Sequence, residues 1–467
     1  MTVADPQKDT GGLLQRLLDP HALWPLAAIG VVMTMGALVP AAAYGAIGGA
    51  AWLALMLLWT MLTALALWFA SRSRHPAALT FVLAAAAAMR LGTLFSQPYL
   101  STDIYRYVWD GRVQAAGINP YRYLPAAPEL ASLRDADVYP NINRADYAPT
   151  IYPPVAQMIF RAVHAFGDGV LVMRLGMLAF DALAIASLIG ILRALSLPPV
   201  RVVAYAWHPL ALWETAGNGH IDVAMLALML AGIWIFLRAP ASNATTLRSG
   251  VLVALAAFIK PTALLAMPVL WKPWDWKLPA VLVGVAAAVY VPYLSAGTKV
   301  FGFLGGYVAE EGFSDGTGLR YVRLLGQAFG AIPGLTTAYI LGAALVLVAL
   351  ALRASFRPDR SPSGSIAALS WLLIAFMLLL TPHYPWYYLA LVPLLAVGRG
   401  LAPWVLTGGS FVLYNEIYTA ILPPMAWRQN TLDLLALAAV AYDIWGLPDR
   451  ATVWLKTLAF KKQEARP

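Results

Sequence analysis

No cysteine occurs among the 467 residues. That excludes disulfides, thiolate metal sites and cysteine nucleophiles. Charge is scarce too. Only 12% of the residues are Asp, Glu, Lys or Arg, against roughly a quarter in soluble domains. The opening stretch, MTVADPQKDTGGLLQRLLDP, lacks a basic region leading into a cleavable apolar core, so no signal peptide is expected. No internal repeat is visible, and no low-complexity tract beyond runs rich in Ala and Leu.

Apolar surface fills the chain instead: 60% of the residues are hydrophobic. One soluble core does not hold that much, and insertion in a bilayer is the economical reading. Crossing about 30 Å of hydrocarbon takes about 20 apolar residues. Spans are predicted near 22–46, 49–70, 76–96, 168–192, 199–215, 221–238, 278–295, 336–353, 363–380, 385–398, 401–417 and 430–446. Between 249 and 271, VLVALAAFI and TALLAMPVLW flank Lys260-Pro261, which predicts a broken helix or a short hairpin. About 12–14 crossings result, each satisfying its backbone polar groups within helices.

The net charge of +9 comes from 32 Lys and Arg against 23 Asp and Glu. Its distribution decides what it means. SRSRH (71–75), Arg193 to Arg201, Arg238 to Arg248, WKPWDWK (271–277), RASFRPDR (353–360), Arg399 and the tail KTLAFKKQEARP fall on one side when both termini are cytoplasmic. The positive charge therefore belongs to a cytoplasmic rim, and no nucleic-acid partner is implied. The opposite side receives the polar segment 97–150, ETAGNGH (214–220), GYVAEEGFSDGTGLR (306–320), TPHYPWYY (381–388) and the end of LYNEIY (413–418). Acids, histidines and aromatic rings gather there.

A hydrophobic helix ending in Arg90 is followed by STDIYRYVWDGRVQAAGINPYRY (101–123), and YPP (152–154) opens a further helix. GNGHIDVAML (217–226), the Lys260-Pro261 break and TPHYPWYY come later. This set resembles the GT-C superfamily of membrane glycosyltransferases. Within it, the chain is most similar to bacterial polyprenyl-phosphate-mannose-dependent α-1,6-mannosyltransferases. The resemblance runs from residue 76 onward, and DIYRYVWDGR with GINPY carries its most specific part. It implies an all-α polytopic membrane protein with juxtamembrane helices in the first large external loop. One GT-C-like unit would span 1–467, with 1–75 an added helix pair, 97–150 the extracytoplasmic catalytic loop and 151–467 the remaining bundle. It also implies an inverting enzyme of a bacterial inner membrane, its site extracytoplasmic. That enzyme takes a sugar, mannose favoured, from a polyprenyl-phosphate donor to a glycan or lipid acceptor.

Such a transfer needs a base for the acceptor hydroxyl proton and cationic or amide donors for the leaving phosphate. The resemblance puts the base at Asp103, just beyond a membrane helix. The competing reading makes Asp103 the cap of a juxtamembrane helix. Asp110 follows two helical turns later, on the same face if 104–116 is helical; Arg106 is spaced to pair with Asp103, and Arg112 lies near Asp110. Asp110, Arg106, Arg112 and Tyr152 are read as structural or substrate-orienting. His220 and Asp222 stand where two glycines meet a helix N-terminus, a setting for phosphate or sugar contact or for a plain turn. Lys260 sits in an apolar stretch, where it needs an anion, a cavity or a route to the rim. His383 and Tyr384 fit a sugar-stacking and phosphate-binding site or an interfacial aromatic belt. Arg320 or Arg323, beside the Gly-rich EEGFSDGTGLR, fits a phosphate ligand or a membrane anchor. DAD (135–137) mimics a metal-binding triplet, but such triplets are common in polar loops. No metal ligand is assigned, no cofactor is firmly expected, and a divalent metal stays open. The alternative class is a transporter or flippase of lipid-linked sugars, which also uses broken helices and intramembrane charge; it has little use for so long a polar first loop.

Overall fold

The computed structural model describes residues 19–39, 49–96, 98, 100–239, 242–398, 400–414 and 425–446. Arg399, the end of LYNEIY and the C-terminal tail, used above for orientation, lie outside them. The described residues form helices and connections, with no strand among them. In chain order the elements used below are α1 (Trp24–Ala37), α2 (Gly49–Arg72), α3 (Ala78–Leu94), α4 (Asp103–Ala115), α5 (Pro154–His164), α6 (Val170–Ala194), α7 (Asp222–Arg238) and α8 (Asn243–Ala257). The remainder are α9 (Lys277–Tyr290), α10 (Leu304–Glu310), α11 (Arg320–Phe329), α12 (Leu335–Ser355), α13 (Pro362–Leu380), α14 (Ala402–Gly409) and α15 (Met425–Trp445).

By length and composition, α2, α6, the stretch Lys277–Glu310, α12 and α13 are able to cross a membrane. A sixth span results if Pro209–Gly217 and α7, bent by 118°, are taken together. Other segments read above as spans form shorter apolar helices, α1, α3, Pro261–Leu270, Pro385–Val397 and Ala402–Leu413 among them. Proline explains much of the shortening. Pro209, Pro261, Pro385 and Pro393 each stand at the start of a new short turn, where the missing N–H costs nothing but a longer helix cannot pass through.

Helix α7 is the centre of the bundle. It is apolar on all sides and buried nearly throughout, as expected of a helix with neighbours all round. It packs on α6 and α8, and small residues let the backbones close in. A Cβ at Gly190 would stand 2.2 Å from the Trp234 ring, and one at Gly232 would stand 3.0 Å from the Ser249 carbonyl oxygen. A buried ion pair, Arg90 with Asp181, ties α3 to α6; Tyr205 donates to Asp181 at 2.7 Å, and Arg90 to the Ala206 carbonyl at the same distance.

The bundle has two chemically distinct ends. At one, Arg201 donates to Ser71 and to the Ala396 carbonyl, and Arg360 donates to the carbonyls of Trp271 and Ser355. These join four of the basic segments. The other end collects α4, α5 and the loops that follow Pro149, Gly302 and Leu380, because α6 and α12 start there while α3 and α13 finish there. Phe303 N donates to the Thr150 carbonyl, and Arg174 on α6 to the carbonyls of Leu94 and Ser96.

Candidate active site

The site is built on the first turn of α4. Asp103 begins the helix, but its Oδ1 accepts from Asn143 Nδ2 at 3.0 Å, not from the helix's own N–H groups. Its side chain is 22% exposed, towards the cavity described below. Among the described residues no Lys or Arg stands within ion-pair distance of it; the nearest cationic candidate is His220, 3.9 Å from Oδ2. The carboxylate is therefore held in place by a neutral amide, with no Lys or Arg among the described residues to neutralise it.

One turn on, the charges are spent internally. Arg106 bonds Asp110 at 2.9 Å, not Asp103, and Gln157 of α5 donates to the second Asp110 oxygen at 2.8 Å. Asp110, two turns beyond Asp103 along the helix, is buried against α5. Arg112 pairs with Asp135 at 2.6 Å and Asp168 at 2.9 Å, not with Asp110. Burial pushes the Asp135 carboxyl up; Arg112 and the N–H groups of Val138 and Tyr139 reverse this and draw it down to about 2. Asp135 is thus committed to shaping the loop. Tyr152 takes the Tyr121 hydroxyl on its carbonyl at 2.7 Å and meets the Tyr107 ring edge-on. Gly111 lets the helices come this close, since a Cβ there would stand 2.7 Å from the Phe160 carbonyl oxygen.

Lys260 has a protein partner, and it comes from another segment. With α8 ended at Ala257, Lys260 is extended (φ −145°, ψ 134°), as the residue before a proline prefers. Its Nζ lies 2.8 Å from Asp222 Oδ1 and 2.7 Å from Oδ2, and 4.5 Å from the centre of the Tyr387 ring. The need for an external anion is thereby removed: Asp222 neutralises the ammonium. His220 also departs from the sequence reading. It is fully enclosed and does not line the cavity.

Between these elements lies a cavity of about 1190 Å³. Asp103, Asn143, Arg144, Lys260, Arg323, His383 and Tyr384 line its polar part, and Leu282, Tyr290, Val300, Leu304, Phe376 and Leu380 an apolar part. Arg144 holds a left-handed backbone (φ 54°), uncommon without glycine and typical of functional positions, and bonds Glu310 at 2.7 Å. His383 lines the cavity with both nitrogens engaged: Nδ1 with Glu311 at 3.0 Å and Nε2 with the Gly318 carbonyl at 2.8 Å. It pins the Gly-rich loop and has no ring N–H to spare for a phosphate. Burial and then Glu311 push the Tyr384 phenol up to about 12; its ring stacks on Trp386 at 4.5 Å. Arg320 is fully buried outside the cavity, paired with Asp433 at 3.1 Å and Tyr388 at 3.0 Å. Arg323 lines the wall in its place. It donates to Gln429 at 2.6 Å, forms no ion pair among the described residues, and keeps its Nε without a partner.

Residues 18–275 match a family model described as alpha-(1->6)-mannopyranosyltransferase, N-terminal domain. The chain belongs to this family. Over 405 residues it is 26% identical to alpha-(1->6)-mannopyranosyltransferase A of Mycobacterium tuberculosis (strain ATCC 25618 / H37Rv), an alignment covering 78% of this chain and 75% of that protein. No solved structure matches. The matched region of this mannosyltransferase family member holds Asp103, Asn143, Arg144, Glu214, His220, Asp222 and Lys260; Glu311, Arg323 and His383 lie beyond it. Asn143 and Arg144 were not singled out from sequence. NINRADY reads as an ordinary polar loop, and only the fold brings it beside Asp103. Among the described residues no group of three or more His, Asp or Glu is arranged to hold a metal ion.

Proposed function

We propose that this membrane glycosyltransferase moves a sugar, mannose favoured, from a polyprenyl-phosphate donor to an acceptor hydroxyl on the extracytoplasmic face, with inversion. The observation that carries the reading is one cavity lined by a carboxylate that no Lys or Arg among the described residues neutralises, Asp103, and by a guanidinium that pairs with no carboxylate among them, Arg323. Asp103 takes the acceptor hydroxyl proton as the oxygen attacks the anomeric carbon. The bond from that carbon to the phosphate oxygen breaks, and its electron pair leaves on the phosphate, which Arg323 and Lys260, both lining the cavity, hold. Phosphate chemistry thus moves from Arg320, His220 and His383 to Arg323. The apolar part of the wall suits the polyprenyl chain, and the Tyr384–Trp386 stack offers a face for the sugar.

Purified protein incubated with radiolabelled polyprenyl-phosphate mannose and membrane glycans is expected to place label in glycan. A flippase would leave the labelled lipid chemically intact, and that result removes the reading. Arg323→Gln is expected to raise the donor KM roughly tenfold or more, since a hydrogen bond to a charged group contributes about 1.5–3 kcal/mol; an unchanged KM takes Arg323 out of the phosphate site.

Facing is tested separately. The native chain has no cysteine, so single introduced thiols report without background. Ala127→Cys and Ser314→Cys are expected to react with an impermeant thiol reagent in intact cells, and Ser73→Cys only after lysis. Ser314 serves better than Gly316, where φ is +86° and a Cβ would stand 2.3 Å from Thr336 Oγ1. Labelling of Ser73→Cys alone in intact cells would turn the site to the cytoplasm.

A further inference from the structure

The segment between Pro209 and α7 carries two buried groups that the transfer step above does not use. A π-helical turn, Trp213–Gly217, sets Glu214 inward, and such turns recur at functional sites. Gly219 then takes φ +69°, a left-handed backbone that favours glycine, and brings the chain against Ile104 of α4. The result is a continuous line of hydrogen bonds. Glu214 Oε2 lies 2.5 Å from His220 Nδ1 and accepts from Asn218 at 3.0 Å; His220 Nε2 lies 3.1 Å from Ser101 Oγ; and Ser101 Oγ accepts the backbone N–H of Asp103 at 3.2 Å. Glu214 and His220 are both fully buried, and Trp386 stacks on the imidazole at 4.3 Å.

We propose that Glu214 and His220 are a positioning dyad for Asp103 and Ser101, an inference that rests on Asp103 being the base. The buried carboxylate assigns the ring proton to Nδ1. Nε2 then accepts the Ser101 hydroxyl, whose oxygen fixes the first peptide of α4 and with it the Asp103 carboxylate. A second histidine shows what a plain core histidine looks like here. His208 is equally buried and accepts from Leu210 N at 3.2 Å; among the described residues it pairs with no carboxylate, and it does not line the cavity. A charge such as Glu214 is costly in an apolar bundle. In His220 it is spent on a ring whose other nitrogen stands 3.9 Å from Asp103 Oδ2.

Two substitutions separate positioning from packing. The Asn amide of His220→Asn reaches the Nδ1 position and keeps Glu214, whereas the longer amide of His220→Gln reaches the Nε2 position and keeps Ser101. His220→Asn is expected to lower kcat roughly 10- to 100-fold, a part of what a general base contributes, with the donor KM within about twofold; His220→Gln, which keeps Ser101 but gives up the Glu214 bond, is expected to regain only part of the loss. Ser101→Ala, which leaves the dyad intact, is expected to lower kcat alike, and the pair Ser101→Ala with His220→Asn to be no worse than either alone. Equal losses in Asn and Gln, a loss carried by KM, or full kcat in Ser101→Ala overturns the dyad. If that happens while Asp103→Asn is inactive, the base assignment stands and only the dyad falls; an active Asp103→Asn removes the base reading first.

Discussion

Asp103→Asn is expected to abolish nearly all sugar transfer while leaving expression and thermal unfolding close to wild type. Asparagine keeps the size and an oxygen for the Asn143 amide, so the 3.0 Å contact survives. What is lost is the ability to take a proton, and a positioned general base contributes about 10²–10⁴-fold. The capping alternative makes an opposite forecast: loss of a cap costs about 0.5–2 kcal/mol of stability and leaves chemistry in the folded fraction. Turnover per folded molecule, measured beside the melting temperature in detergent, separates them. A variant that is destabilised yet active per folded molecule overturns the assignment.

Lys260→Met is the second large effect. Its partner Asp222 has a side chain only 2% exposed, and methionine would leave that carboxylate alone in the bundle centre. Removing one member of a buried pair typically costs about 3–5 kcal/mol, so the variant is expected to melt well below wild type. Combining it with Asp222→Asn is expected to restore most of the stability, because replacing both charges is often near neutral. Donor KM in the double variant then isolates the second role of Lys260. A raised KM in a restored fold marks phosphate contact; a wild-type melting temperature for Lys260→Met alone would mean the pair contributes nothing.

The membrane class, the helical architecture and the polar loop after α3 were legible because composition and hydropathy are summed along the chain. That Lys260 needs a partner was legible because an ammonium in an apolar stretch demands an explanation. The partner was not. Asp222 lies 38 positions away, and sequence gives no measure of that distance in space. The same limit applies to three phosphate candidates. Arg320 and Arg323 lie on one helix a turn apart, and only packing against Asp433 shows which is enclosed and which meets the cavity. His220 and His383 share a residue type suited to phosphate, yet each has its ring nitrogens committed to protein partners. Segments 199–215, 385–398 and 401–417 look like ordinary spans by hydropathy, which does not register how short turns at prolines are stabilised by burial on every side.

The proposed donor is a lipid-phosphate sugar bound in the cavity that Asp103 and Arg323 line. Giving the purified protein labelled mannose in two forms, on a polyprenyl phosphate and on a nucleotide, with the same acceptor glycans, and measuring label in the glycan decides this. Transfer from the lipid-linked form alone, lost in Asp103→Asn, is the predicted result. Transfer from the nucleotide-linked form, or from neither, contradicts it.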